Sequence, residues 1–139
     1  MGGTFDHLHE GHKLLIKTAL SISNNLVIGL TTEKLLKNKK FSLKLEDYQT
    51  RKTNLEKFIK SFTDLNRVKI IELNDPYGPP IEEPQYEGLV VSQETYNAAV
   101  KMNEIRENKG FQPLIIIVIP IIRDKKNKKI SSTSIREKL

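Results

Sequence analysis

The chain's three histidines, His7, His9 and His12, fall within six residues, in the run Gly3-Thr4-Phe5-Asp6-His7-Leu8-His9-Glu10-Gly11-His12. A neutral imidazole offers one N–H donor and one acceptor, and it titrates closer to neutrality than any other side chain. An apolar-to-polar transition at Phe5 and a helical pattern beyond Gly11 put this run at a strand-to-helix turn. In open α/β sheets ligands bind at such turns. The unpaired N–H groups and positive dipole end of the helix suit an anion, and Gly11 lets the backbone come close to it. The implied chemistry is phosphate binding, with His9 and His12 reaching one anion over the helix start. A metal site is the rival reading. It lacks obvious further ligands, although Asp6 and Glu10 are near in sequence.

A second group stands at the other end, Lys129-Ile130-Ser131-Ser132-Thr133-Ser134-Ile135-Arg136. Serine and threonine ahead of a helical stretch cap its first turn, and the same hydroxyls and N–H groups hold phosphate oxygens. Arg136, one turn further on, can pair with phosphate through two parallel N–H donors. A third group, Ser92, Glu94 and Thr95, follows a short apolar run. Glu94 there could accept from an amine or a ribose hydroxyl. Alternatively Ser92 caps a helix and Glu94 complements its dipole.

The elements that must position these residues are legible from periodicity. Apolar runs suited to strands covered on both faces are Leu26–Leu30, Val68–Leu73, Leu89–Val91 and Leu114–Ile119. Helical patterns lie between them. His12–Ser21 places Leu15, Ala19 and Ile22 together. Asp47–Phe62 gathers Tyr48, Leu55, Phe58, Ile59 and Phe62. Glu94–Asn108 stops at Gly110, and Ser132–Leu139 makes a short last helix. Alternation of this kind predicts one α/β domain over residues 1–139, a Rossmann-like parallel sheet with helices on both faces. Only Met1 precedes the first glycine, so either the first strand is cut to Gly2-Gly3-Thr4-Phe5 or the true start lies upstream. Asn74–Pro80 reads as a turn-rich loop and Arg123–Lys129 as a basic one.

With 139 residues, the chain can bury one real core. It has no cysteine, which excludes disulfides, thiolate metal sites and cysteine nucleophiles. No apolar run spans a bilayer and no signal peptide is visible, so a cytoplasmic protein is expected. The formal net charge of +6 fits anionic partners. Sparse aromatics and the absence of helix-turn-helix or zinc-finger spacing argue against nucleic acid and leave small phosphorylated molecules. Oligomeric state is not set by any of these features.

His9-Glu10-Gly11-His12 resembles the HxGH signature of the nucleotidylyltransferase superfamily, and Ile130–Arg136 resembles its ISSTxxR signature. Within that superfamily the chain is similar to the archaeal and eukaryotic type of phosphopantetheine adenylyltransferase. That likeness rests on Val91-Ser92-Gln93-Glu94-Thr95, Asp75-Pro76-Tyr77-Gly78-Pro79 and Asn103-Glu104-Ile105-Arg106. The resemblance implies adenylyl transfer from ATP to phosphopantetheine, with Mg2+ carried by the ATP rather than by a protein cage. It implies nucleotide contacts at Gly3, Thr4, Phe5, His9, Gly11, His12, Ser131, Ser132, Thr133 and Arg136, with His12, His9 and Arg136 catalytic. It implies acceptor contacts at Thr4, Ser92, Glu94 and Thr95 and at one of Lys37, Lys39 and Lys40, with Lys40 favoured. Another small-acceptor enzyme of the superfamily, a cytidylyltransferase or an FAD synthetase, is the alternative. A non-catalytic nucleotide-binding module is the third reading. The ISSTxxR form and the Val91–Thr95 segment favour the first, and the lack of cysteine speaks against the FAD synthetases.

Overall fold

The computed structural model describes residues 1–36 and 45–120. In chain order the elements are β1 (Gly2–Gly3), α1 (Glu10–Ile22), β2 (Leu26–Thr31), α2 (Glu33–Leu36), α3 (Tyr48–Lys60), β3 (Val68–Leu73), β4 (Gly88–Ser92), α4 (Tyr96–Asn108) and β5 (Ile115–Ile119), with short 3-10 turns at Leu65–Arg67 and Pro79–Ile81. All strand pairings are parallel. β1 pairs with β2 through Gly2↔Gly29 and Gly3↔Leu30, and β2 with β3 from Leu26↔Val68 to Thr31↔Leu73. β4 pairs with β5 from Gly88↔Ile115 to Ser92↔Ile119.

The expected single sheet is split in two, with strand orders β1-β2-β3 and β4-β5. The reason is the length of β1. Its two residues use their hydrogen bonds on β2, extended only by the Met1 carbonyl, which accepts from Gly29 N–H at 2.9 Å. Among the described residues β1 forms no ladder with β4. A cleft of about 940 Å³ lies between the halves, bordered by Gly3, Val27, Leu89 and Ile117.

Helices still cover both faces, as β4 shows by its alternation. Val90 packs into the main core with Phe5, Ile16, Ile28, Leu30, Leu55 and Ile59. Leu89 and Val91 point the other way, into a second cluster with Ala99, Met102 and Leu114. α3 begins at Asp47, whose carboxylate accepts from Thr50 N–H at 2.7 Å. α4 ends as expected at Gly110, whose φ of 81° is the left-handed cap conformation that glycine adopts freely.

Packing departs from expectation on two helices, α1 and α3. The buried stripe of α1 is Ile16, Ala19 and Leu20. Of the expected set, Ala19 is buried and Leu15 packs partly buried on the same core, while Ile22 is 53% exposed. β5 meets the core on both faces, as expected: Ile117 and Ile119 pack on the main cluster and Leu114 and Ile116 on the second, while Ile115 is 69% exposed. Phe62, expected on the apolar face of α3, falls beyond its end and packs half-exposed on Phe58. The Ser132–Leu139 helix and the Arg123–Lys129 loop lie outside the described residues.

Candidate active site

The turn from β1 into α1 is built under constraint. Phe5 and His7 both have left-handed backbone, with φ of 49° and 47°. Each such non-glycine residue costs of order 1–3 kcal/mol, and it persists only where the surroundings hold it. Here the Arg51 guanidinium donates from Nη1 to the Thr4 carbonyl at 3.0 Å. The buried Asp6 carboxylate accepts from Glu46 N–H at 2.9 Å. The His7 N–H donates to Glu46 Oε1 at 2.7 Å. The Phe5 ring is buried and tilts against His12 at 5.3 Å between centroids.

His9 caps α1. Its Nδ1 accepts from Gly11 N–H at 3.1 Å, while its own N–H donates back to Nδ1 of His12 at 3.2 Å. Each Nδ1 is therefore an acceptor, and each imidazole carries its proton on Nε2. The rings stack with centroids 3.7 Å apart and planes 22° apart. A Cβ at Gly11 would stand 2.9 Å from Cε1 of His9, so the glycine makes room for the ring. Burial holds the His9 imidazole below its ordinary range, against the opposing pull of the Glu94 and Glu10 carboxylates. It is thus a neutral donor, and its Nε2 is buried with no hydrogen-bond partner among the described residues. A buried N–H left without an acceptor costs free energy that an acceptor ligand would recover.

The expected site residues Gly3, Thr4, Phe5, His9, Gly11 and His12 come together on this turn. Ser92 and Thr95 meet at the end of β4, where the Thr95 hydroxyl donates to the Ser92 carbonyl at 3.3 Å. Thr95 rather than Ser92 stands at the cap of α4, with no side-chain bond to the helix. Glu94 acts electrostatically on His9, so the turns after β1 and β4 share one edge. Lys37, Lys39, Lys40, Ser131, Ser132, Thr133 and Arg136 lie outside the described residues.

Sequence reasoning passed over Glu46 and Arg51. Arg51 has its own signal, a lone arginine on the apolar stripe Tyr48, Leu55, Ile59. The search for metal ligands near the histidines also stopped short. Ligand atoms of Asp6, His7 and Glu46 lie within 4.8 Å of one another, the third residue arriving from 40 positions away. The contacts given above show Asp6 and Glu46 holding the turn's backbone.

A parallel α/β fold whose ligand edge carries an imidazole-capped helix start is built to hold the phosphates of a nucleotide. Residues 1–138 match the cytidylyltransferase-like family model. The phosphopantetheine adenylyltransferase of Pyrococcus abyssi is 42% identical over 136 residues, 98% of this chain and 86% of that protein. That of Methanopyrus kandleri is 38% identical with the same coverage. The Saccharomyces cerevisiae protein of that name is 40% identical over the whole chain, which spans 47% of its length. A crystal structure of a protein of unknown function from Archaeoglobus fulgidus superposes with a TM-score of 0.77 at 31% identity, over 86% of this chain and 95% of that one. A bifunctional NMN adenylyltransferase/ADP ribose pyrophosphatase from Francisella tularensis shares the fold, with a TM-score of 0.65 at 16% identity over 99% of this chain and 40% of that one. The chain belongs to the phosphopantetheine adenylyltransferase family.

Proposed function

We propose that this enzyme transfers the adenylyl group of ATP to 4'-phosphopantetheine, giving dephospho-coenzyme A and pyrophosphate, a step of coenzyme A biosynthesis. The observation that carries the reading is the stacked His9–His12 pair at the start of α1, with the N–H of His9 Nε2 buried and unpaired. The names of the relatives supply the acceptor.

The acceptor's phosphate oxygen attacks the α-phosphorus in line, forming a new P–O bond as the bond to the β-phosphate oxygen breaks. The nucleophile is already an anion, so no base and no protein nucleophile are needed. Catalysis then rests on alignment and on fixed donors where charge develops. His12 stabilises charge on the α-phosphate, and His9 donates from Nε2 to neighbouring phosphate oxygens. Thr4 contacts both substrates and the Phe5 N–H contacts the nucleotide. Ser131, Ser132 and Thr133 hold the β- and γ-phosphates, and Arg136 neutralises the departing pyrophosphate. Ser92, Glu94 and Thr95 border the acceptor, and Lys40 pairs with its phosphate. Magnesium would arrive on the triphosphate. The Asp6–His7–Glu46 cluster is not assigned as its cage: one oxygen of each carboxylate already holds main chain, Glu46 Oε1 the His7 N–H and Asp6 Oδ1 the Glu46 N–H. The reading places the enzyme in the cytoplasm. No helix among the described residues is long and apolar enough to cross a membrane.

Purified protein incubated with ATP and, separately, phosphopantetheine, flavin mononucleotide and cytidylyl-transfer acceptors tests the assignment by product analysis. Dephospho-coenzyme A and pyrophosphate in equal amounts are expected. Turnover of another acceptor alone would move the chain to a different reaction of the superfamily. Lys40→Ala should raise KM for phosphopantetheine far more than for ATP, since a charged hydrogen bond is worth about 1.5–3 kcal/mol.

A further inference from the structure

The left-handed turn Phe5–His7 lies between the strand and the two histidines, and among the contacts that hold it from outside three come from Glu46 and Arg51. Two come from Glu46. Its main-chain N–H donates to Asp6 Oδ1 at 2.9 Å, and its Oε1 accepts from His7 N–H at 2.7 Å. The third is Arg51 Nη1 on the Thr4 carbonyl at 3.0 Å. Arg51 joins the same group of atoms from behind. Its Nε donates to the Glu46 carbonyl at 3.0 Å and its Nη1 to the Thr31 carbonyl at 2.7 Å. One fully buried guanidinium thus ties together the ends of β1 and β2 and the entry to α3. Only Leu8 separates His7 from His9, so a shift of the His7 backbone passes directly to the stacked rings.

We propose that Glu46 and Arg51 form a clamp of positioning residues, holding the Phe5–His7 turn in its left-handed form and so aiming His9 and His12 at the reacting phosphate. The inference rests on the adenylyl-transfer reading. In this clamp Glu46 works as a hydrogen-bond acceptor and its charge is dispensable, whereas Arg51 works through the spread of its donors. A cation held by Asp6, His7 and Glu46 would instead need the Glu46 charge.

Three variants separate these roles: Glu46→Ala, Glu46→Gln and Arg51→Lys. Glutamine keeps an oxygen acceptor at the same place, and lysine keeps the charge of Arg51 but not its reach across three carbonyls. Single-turnover rates, ATP affinity by calorimetry, and nitrogen resonances of the histidine rings by NMR are measured for each folded variant. A misplacement of about 1 Å at a reacting group costs roughly 10²-fold in rate. Glu46→Ala and Arg51→Lys should therefore lose about 10- to 100-fold in kcat, with ATP affinity changed less than about threefold, and should shift the ring resonances of His9 and His12. Glu46→Gln should stay within about threefold of the parent and leave those resonances in place. A Glu46→Gln variant as impaired as Glu46→Ala overturns the clamp in favour of a charge role. Unshifted histidine resonances in Glu46→Ala and Arg51→Lys overturn it outright. Should Glu46→Ala not fold, the Glu46→Gln and Arg51→Lys results decide alone. The parent's turnover with phosphopantetheine reports on the adenylyl-transfer reading, and the NMR arm reports on the clamp whatever the acceptor proves to be.

Discussion

Each half of the molecule is arranged round one fully buried arginine, and the two do different work. In the β4–β5 half Arg106 donates from Nε to the Gln112 carbonyl, from Nη1 to Pro80 and Glu83, and from Nη2 to Pro84 and Tyr86, at 2.5–3.2 Å. Every nitrogen is engaged, and the Pro80–Tyr86 loop is stapled to the end of α4. In the β1–β3 half Arg51 reaches three carbonyls, while its Nη2 has no hydrogen bond among the described residues and stands 3.8 Å from Glu33. The same half holds both left-handed non-glycine residues and the unpaired His9 Nε2. Where local rules are satisfied throughout, the residues hold the fold. Where several are broken together, the site is found.

Two substitutions sharpen that contrast. His12→Ala should lower the single-turnover rate by about 10²–10³, the effect of removing one preorganised donor, with ATP affinity changing much less. Lost ATP binding with an unchanged rate would assign His12 to ground-state binding instead. Arg106→Met should leave five carbonyls short of a donor and destabilise by about 3 kcal/mol or more. Its kcat, measured well below the melting temperature, should match the parent. A catalytic defect in the folded variant would break the division between the halves.

Much of this was readable in the sequence. Four strands and three helices stand within a few residues of where periodicity puts them, because long apolar runs and caps such as Asp47 act locally. The His9–His12 turn was legible because residue type, spacing and a glycine coincide. The identity of α1's buried stripe was not, since Leu15, Ile16 and Leu20 are all apolar and only packing against the sheet decides which lie deepest. Glu46 was invisible because it meets Asp6 only through folding, 40 residues away. The role of Asn103 and Arg106 was hidden behind a motif. Asn103 proves to hold the Leu114 backbone on both sides, donating at 3.0 Å and accepting at 2.6 Å.

The site half also carries a pH-dependent weakness. Burial lowers the pKa of the His9 imidazole. The folded state thus binds fewer protons than the unfolded chain as the pH passes through the ordinary histidine range, and stability rises with pH there. Urea unfolding at intervals from pH 5.5 to 8.5 measures the slope. His9→Asn should flatten it, and an unchanged slope would show that the His9 imidazole does not titrate differently in the two states.

The smallest effect separates stability from function at one atom. Gly11 is the second residue of α1 and its backbone does not require glycine, so alanine there should gain up to about 1 kcal/mol of helix propensity. The new Cβ, however, would lie 2.9 Å from Cε1 and 3.1 Å from Nδ1 of His9. Backbone cannot give way at a helix start, so the ring must turn. Turning it weakens the cap bond from Gly11 N–H and the stack on His12, the former worth about 1 kcal/mol. Gain and loss nearly cancel, and the melting temperature of Gly11→Ala should stay within a few degrees of the parent. The rate should not, because the Nε2 donor of His9 leaves its aim, and a loss of roughly tenfold is expected from a displacement of a few tenths of an ångström. A Gly11→Ala enzyme as fast as the parent would mean that the position of His9's ring is immaterial, and would leave His12 as the one imidazole acting on the phosphates.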